Sequence, residues 1–189
     1  MSMTSLPAAR GLYDPRNEHD NCGVGFVVDI KNRKSHEIVQ QGLEILCNVT
    51  HRGAVGADPL AGDGAGILVQ IPDAFFRAEV DFELPAAGAY GVAMVALPRP
   101  EQTRARCVAV LEQTIVSEGQ TLLGWRDVPT DSEILGESVK PKEPIIRQVF
   151  IGPAPGLSGD GFERKLFVIR KLCEHQITAL DEPHCEQFY

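Results

Sequence analysis

Asn21-Cys22-Gly23-Val24-Gly25-Phe26-Val27-Val28-Asp29-Ile30 decides how this chain reads. A cysteine stands between a polar leader and a glycine-spaced apolar run. Val24, Phe26, Val28 and Ile30 alternate, which is the period of a strand turning one face inward. Val27 adds apolar character to the other face, where a second layer could cover it. Cys22 therefore sits at the head of an expected strand over residues 23–30. A thiolate is a good nucleophile, but an ordinary thiol with pKa ~8.5 is mostly protonated near neutrality. No histidine adjoins Cys22 in sequence to act as its base. If the leader were removed, Cys22 would carry an α-amino group with pKa about 7.7–8.0, and that amine can serve as base for its own side chain. Gly23 and Gly25 would let substrate and backbone approach closely. The plainer reading is a buried thiol that starts a strand. Composition alone favours it, because buried free cysteine is common.

Upstream, residues 1–20 carry Pro7, Gly11, Pro15 and the polar run Arg16-Asn17-Glu18-His19-Asp20. They read as an extended leader with little core of its own, or as a tethered arm that stays in place. The leader lacks the apolar core of a secretory signal and is poor in the features of a transit peptide, so the cytoplasm is the expected compartment. Downstream, Lys31-Asn32-Arg33-Lys34-Ser35 reads as a polar turn. Residues 36–49 read as a helix capped by Ser35, with Val39, Leu43, Leu46 and Cys47 on one stripe. Cys47 is expected in the core. Gly42 weakens that helix by roughly 1 kcal/mol unless close packing needs it.

After Thr50-His51-Arg52-Gly53 comes a glycine-rich loop through Asp58-Pro59 and Gly62-Asp63-Gly64-Ala65-Gly66. A strand is expected at 67–71, a brief helical segment from Asp73, a strand at 90–97 and a helix at 101–118 stopped by Gly119. A strand at 121–128, a loop at 129–144, a strand at 145–151, a Pro/Gly loop at 153–161 and a helix at 162–175 follow. The order mixes helices and strands in one domain.

The formal net charge of −8 argues against a nucleic-acid surface, which needs a clustered basic face. No apolar run approaches the length of a membrane span. The five cysteines are widely spaced with no C-x-x-C pair, so a disulfide scaffold and a structural zinc site are not expected. Cys173-x-His175 and His184-Cys185 lack further ligands nearby, so no metal is expected. Arg52 offers a planar fork for a carboxylate, although taken alone a solvated or ion-paired arginine is the safer reading. His51 could assist it, or could be a turn residue with a satisfied ring. Gly62-x-Gly64-x-Gly66 is followed by an expected strand, where a dinucleotide loop needs a helix. It shapes a pocket wall or simply turns tightly.

Taken together, Cys22-Gly23-Val24-Gly25-Phe26, His51-Arg52-Gly53-Ala54 and Gly62-Asp63-Gly64-Ala65-Gly66-Ile67 resemble the class II glutamine amidotransferase domain of glutamate synthase large subunits. Gly11-Leu12-Tyr13-Asp14-Pro15, Leu123-Gly124-Trp125-Arg126-Asp127-Val128-Pro129 and Arg147-Gln148-Val149-Phe150-Ile151 also resemble it. The likeness runs from about Gly11 to the last residue. Other class II amidotransferases, of phosphoribosyl or sugar-phosphate type, resemble it less, because glycine precedes phenylalanine here. A non-catalytic module with a structural Cys22 is the alternative of another kind.

The resemblance implies an α+β fold, the N-terminal-nucleophile αββα sandwich, incomplete in this chain. It implies a propeptide at 1–21 and the N-terminal part of the amidotransferase domain at 22–189. It makes Cys22 the nucleophile toward L-glutamine and Arg52 a substrate-binding residue. It implies no cofactor in this chain, but FMN and an iron–sulfur cluster in the full-length enzyme. Expected partners are the remainder of the large subunit and a small reductase subunit. The family's oxyanion-hole asparagine and glycine, and an aspartate that grips the substrate amine, are expected beyond Tyr189. These residues alone are therefore expected to be inactive or nearly so, since one oxyanion-hole donor is worth ~10²–10³ in rate.

Overall fold

The computed structural model describes residues 23–53, 58, 60–62, 64–180 and 183–188. The chain divides into two compact units, residues 1–68 and residues 69–189.

In the first unit, α1 spans His36–Asn48. Ser35 caps it as the sequence predicts, its hydroxyl accepting from the Ile38 N–H at 3.4 Å. The helix tightens into a 3₁₀ turn at Thr50–Arg52. Before α1 the polar turn forms around Asp29, whose carboxylate accepts from the Lys31 and Arg33 backbone N–H groups and from the Arg33 guanidinium. Asn32 takes a left-handed conformation there, with φ +53°.

Three expectations need correction. Residues 23–30 form no strand: 23–29 make no ladder with the described residues, and Ile30 opens a turn. The face expected to turn inward is the exposed one: Val24 and Ile30 are 96% and 97% exposed, Phe26 89%. Second, Cys47 and Leu43 are exposed, while Val39 and Leu46 of the expected stripe are half-buried together with Ile38, Gln41, Gly42, Ile45 and Val49. Gly42 has the close neighbour that its presence requires, since a Cβ there would lie 2.7 Å from Ile67 Cδ1. Third, residues 67–71 form no strand, and Leu68 is fully exposed.

The second unit follows the sequence more closely. Its elements are α2 (Asp73–Glu79), β1 (Gly91–Leu97), α3 (Glu101–Ser117), β2 (Thr121–Asp127), β3 (Ile145–Gly152) and α4 (Gly159–Thr178). The strands form an antiparallel sheet in the order β1-β3-β2, with Ala93 opposite Val149 and Trp125 opposite Val149 across the central strand. Alternation divides β3 between two layers. Val149 and Ile151 join Val95, Leu97, Leu111, Ile115, Ile169 and Ile177, so α3 and α4 pack on that face. Phe150 points the other way and meets Phe76 and Tyr90. Gly119 ends α3 at φ +76°, a conformation that suits a residue without Cβ. α4 begins earlier and ends later than predicted, since Gly159 and Thr178 lie outside the apolar register that marks it.

Candidate active site

Cys22 lies outside the described residues, so the site is built from what adjoins it. The chain bonded to it, Gly23 onward, lies against α1. A Cβ placed on Gly23 would fall 2.8 Å from Val49 Cβ and 3.2 Å from Arg52 Cβ and Cγ. A Cβ on Gly25 would fall 2.5 Å from Ile45 Cγ2. The glycines therefore face the helix. They let the segment lie close on α1.

Arg52 is positioned by the turn that ends α1. Its N–H donates to the Val49 carbonyl at 2.8 Å, and the Gly53 N–H donates to the Thr50 carbonyl. The Thr50 hydroxyl donates to the Cys47 carbonyl at 2.7 Å, satisfying one of the helix's last acceptors. The stem of Arg52 rests beside Gly23, while the residue as a whole remains exposed. A cation just past a helix C-terminus also opposes the negative end of the helix dipole. The structure thus brings Arg52 beside the residue that follows Cys22, although 29 positions separate Arg52 from Gly23.

His51 takes the turn role. Its Nδ1 lies 3.1 Å from the Asn48 carbonyl, so that nitrogen carries a proton and donates. Gly64 and Gly66 would each meet open space if a Cβ were added, so packing does not demand glycine at either position. Among the described residues no group of three or more His, Cys, Asp or Glu side chains could hold a metal ion. Cys107, Cys173 and Cys185 are buried, and burial raises the Cys173 thiol above its ordinary range. They form part of the apolar core of the second unit. No helix among the described residues is long and apolar enough to cross a membrane.

In the second unit the Trp125-Arg126-Asp127 and Arg147-Gln148 motifs meet across β2 and β3. Arg147 Nε donates to Asp127 at 2.7 Å and its guanidinium lies 4.8 Å from the Trp125 ring centroid. Arg126 donates to Gln148 at 3.1 Å and to Glu79 at 3.0 Å. The Trp125 indole donates to Glu112 at 2.7 Å. These groups satisfy one another and tie α2 and α3 to the sheet. A groove of about 600 Å³ beside them is lined by Glu79, Asp81, Trp125, Arg126 and Asp127, among others, with no cysteine or histidine. It includes neither Arg52 nor Gly23 and is therefore not the cysteine site considered above.

Ile45 and Val49 were not singled out from the sequence as site residues. The available signal was their spacing: four apart on the helix, with Arg52 three further on.

The family model for class II glutamine amidotransferases matches residues 22–189. The chain is 46% identical over 177 residues to the glutamate synthase (NADPH) large chain of Bacillus subtilis, covering 93% of this chain and 12% of that protein. It is 40% identical over 185 residues to glutamate synthase (NADH) of Saccharomyces cerevisiae, covering 91% and 9%. It is 35% identical over 187 residues to the ferredoxin-dependent glutamate synthase of Pyropia yezoensis, covering 97% and 12%. The chain thus spans about a tenth of the length of these curated relatives.

Proposed function

The chain belongs to the class II glutamine amidotransferases and is homologous to part of glutamate synthase, and from that premise we propose that Cys22 releases ammonia from L-glutamine for glutamate synthesis. Removal of residues 1–21 would free the Cys22 α-amino group. That amine takes the thiol proton, and the thiolate attacks the side-chain amide carbon of glutamine. The carbon–nitrogen bond breaks and ammonia leaves with the transferred proton. Water then hydrolyses the thioester to glutamate and regenerates the thiol. Arg52 pairs with the substrate α-carboxylate through its planar fork.

The seating of Gly23 against the Arg52 stem carries this proposal, because it puts a carboxylate-binding cation next to the residue bonded to the nucleophile. The start of the family match at residue 22 supports the same division between leader and domain. The three-stranded sheet with α3 and α4 on one face suits one half of an αββα sandwich.

In the complete enzyme the ammonia would aminate 2-oxoglutarate, a reductive step for which FMN and an iron–sulfur cluster bound elsewhere would supply the electrons. Cys107, Cys173 and Cys185, packed in the core, do not fit a cluster-ligating set. These cofactors are assigned to other parts of the full-length protein. Its partners are the remainder of the large subunit and a small reductase subunit, and its compartment is the cytoplasm.

Cys22→Ala in the full-length enzyme is the test. Glutamine-dependent glutamate formation should vanish while ammonia-dependent formation persists. Loss of both, or of neither, overturns the proposal. Mass spectrometry of active enzyme should find Cys22 at the N-terminus, and an intact Met1 or Ser2 there refutes the self-activating amine.

A further inference from the structure

We propose that Gly23 and Gly25 interlock with Ile45 and Val49 to form a seat that sets the register of residue 22 against Arg52, with Ile45 and Val49 as positioning residues; this rests on the Cys22 reading above. Gly23 and Gly25 both meet α1, as alternate residues of an extended chain can, and two such residues advance about 6.6 Å. On an α-helix, residues four apart share a face and lie about 6 Å apart along the axis. Gly25 against Ile45, then Gly23 against Val49, uses that match. One glycine is placed per helical turn, and the N-terminal end of the segment lies at the C-terminal end of α1, where Arg52 stands. Cys22 is bonded to the end of the seat nearest Arg52.

The contacts leave little room for adjustment. Ordinary van der Waals contact begins at 3.4 Å, whereas a Cβ on Gly25 would sit 2.5 Å from Ile45 Cγ2. Isoleucine in a helix is held to one strongly preferred rotamer, so that methyl does not swing aside. At Gly23 the obstacle is Val49 Cβ, which moves only with the backbone. A side chain at either glycine therefore shifts the segment by about 1 Å, and such a misplacement can cost about 10²-fold in rate. The outward row Val24, Phe26, Val28 and Ile30 does not touch this seat and leaves the register to the glycine face.

Ile45→Ala removes the obstructing methyl and leaves Ile45 Cβ 3.7 Å from the position of an added Cβ at residue 25. The seat is tested in full-length enzyme with Gly25→Ala, Ile45→Ala and the double variant. Gly25→Ala should lower glutamine-dependent kcat about 10²-fold and leave ammonia-dependent synthesis within a few-fold. Ile45→Ala should cost a few-fold by loosening the seat. The double variant should return to the level of Ile45→Ala, the second substitution repairing the first.

Labelling of Cys22 by a diazoketone analogue of glutamine should fall with Gly25→Ala far more than labelling by iodoacetamide, which needs only an accessible thiol. Equal loss of both labels, a fully active Gly25→Ala, or a double variant no better than Gly25→Ala overturns the seat. Cys22→Ala run alongside separates the two failures. If it behaves as expected while Gly25→Ala stays active, the seat alone is wrong.

Discussion

Tyr90 gives the second unit a stability that should disappear in alkali. Its side chain is buried, and its hydroxyl donates to Asp73 Oδ1 at 3.0 Å. Arg77 holds the same carboxylate from the other side, at 2.9 Å through Nε and 3.0 Å through Nη2. Arg77 also donates to the Leu84 and Pro85 carbonyls, so the group pins α2 to the loop before β1. Burial first, and the hydrogen bond to Asp73 second, push the Tyr90 phenol up to about 12. An unfolded tyrosine titrates near ~10. Between those values the unfolded chain gives up the proton and the folded chain keeps it. The contribution is thus full below about pH 10 and drains away as pH rises toward 12.

At about 1.4 kcal/mol per pKa unit the loss is about 2–3 kcal/mol. Tyr90→Phe keeps the ring against Phe150, whose centroid lies 6.3 Å away, and removes only the titrating group. Guanidinium unfolding of both proteins from pH 8 to pH 12 measures it. At pH 8 the tyrosine form should be more stable by about 1.5–3 kcal/mol, the worth of a hydrogen bond to a charged group. That advantage should close across pH 10–12. Parallel stability curves for the two proteins, or ionisation of Tyr90 in the folded protein near its ordinary value, would refute the reasoning.

Arg52→Lys exchanges a two-pronged fork for a point charge, so the KM for glutamine should rise ~10-fold or more while ammonia-dependent synthesis holds. Glutamine saturation curves of the full-length enzyme check it, and an unchanged KM places the carboxylate elsewhere. Phe150 is fully buried, with Phe76 at 5.0 Å edge-on and Phe82 at 5.3 Å. Phe150→Ala should cost ~3–5 kcal/mol, read by urea unfolding followed on Trp125, the chain's single tryptophan. A cost under about 1 kcal/mol would mean the aromatic cluster is not packed as described.

The second unit was legible because its elements are self-sufficient in pattern. Helices 101–118 and 162–175 carry apolar stripes that α3 and α4 bury, and strands 90–97, 121–128 and 145–151 find one another in a single sheet. The first unit was less legible, for a physical reason. Alternation at 23–30 shows that one face is apolar, but says nothing of whether the described chain supplies a partner for it. Residues 67–71 failed as a strand in the same way. Cys47 was misplaced because Ile45 and Val49, not Leu43 and Cys47, face the packed side of α1. At the site, Arg52 was legible as a residue type. Its closeness to Gly23 was not, since it depends on the path of the chain between them.

The glycines at 23 and 25 show how one stretch can answer to two constraints at once. Their partners at 24, 26, 28 and 30 are large and apolar, each worth ~1.5–3 kcal/mol when fully buried, and none is buried by the described residues. The glycine face buries almost no side-chain area of its own, yet it is the face that meets a helix closely. Hydrophobic area is therefore a poor guide to which side of this segment is constrained. Steric exclusion, which a glycine reveals only by what cannot replace it, fixes the segment on α1. A nucleophile needs placement within fractions of an ångström more than it needs adhesion. With Cys22 as the proposed nucleophile, two glycines closed against β-branched residues of α1 would supply that placement with few soft degrees of freedom.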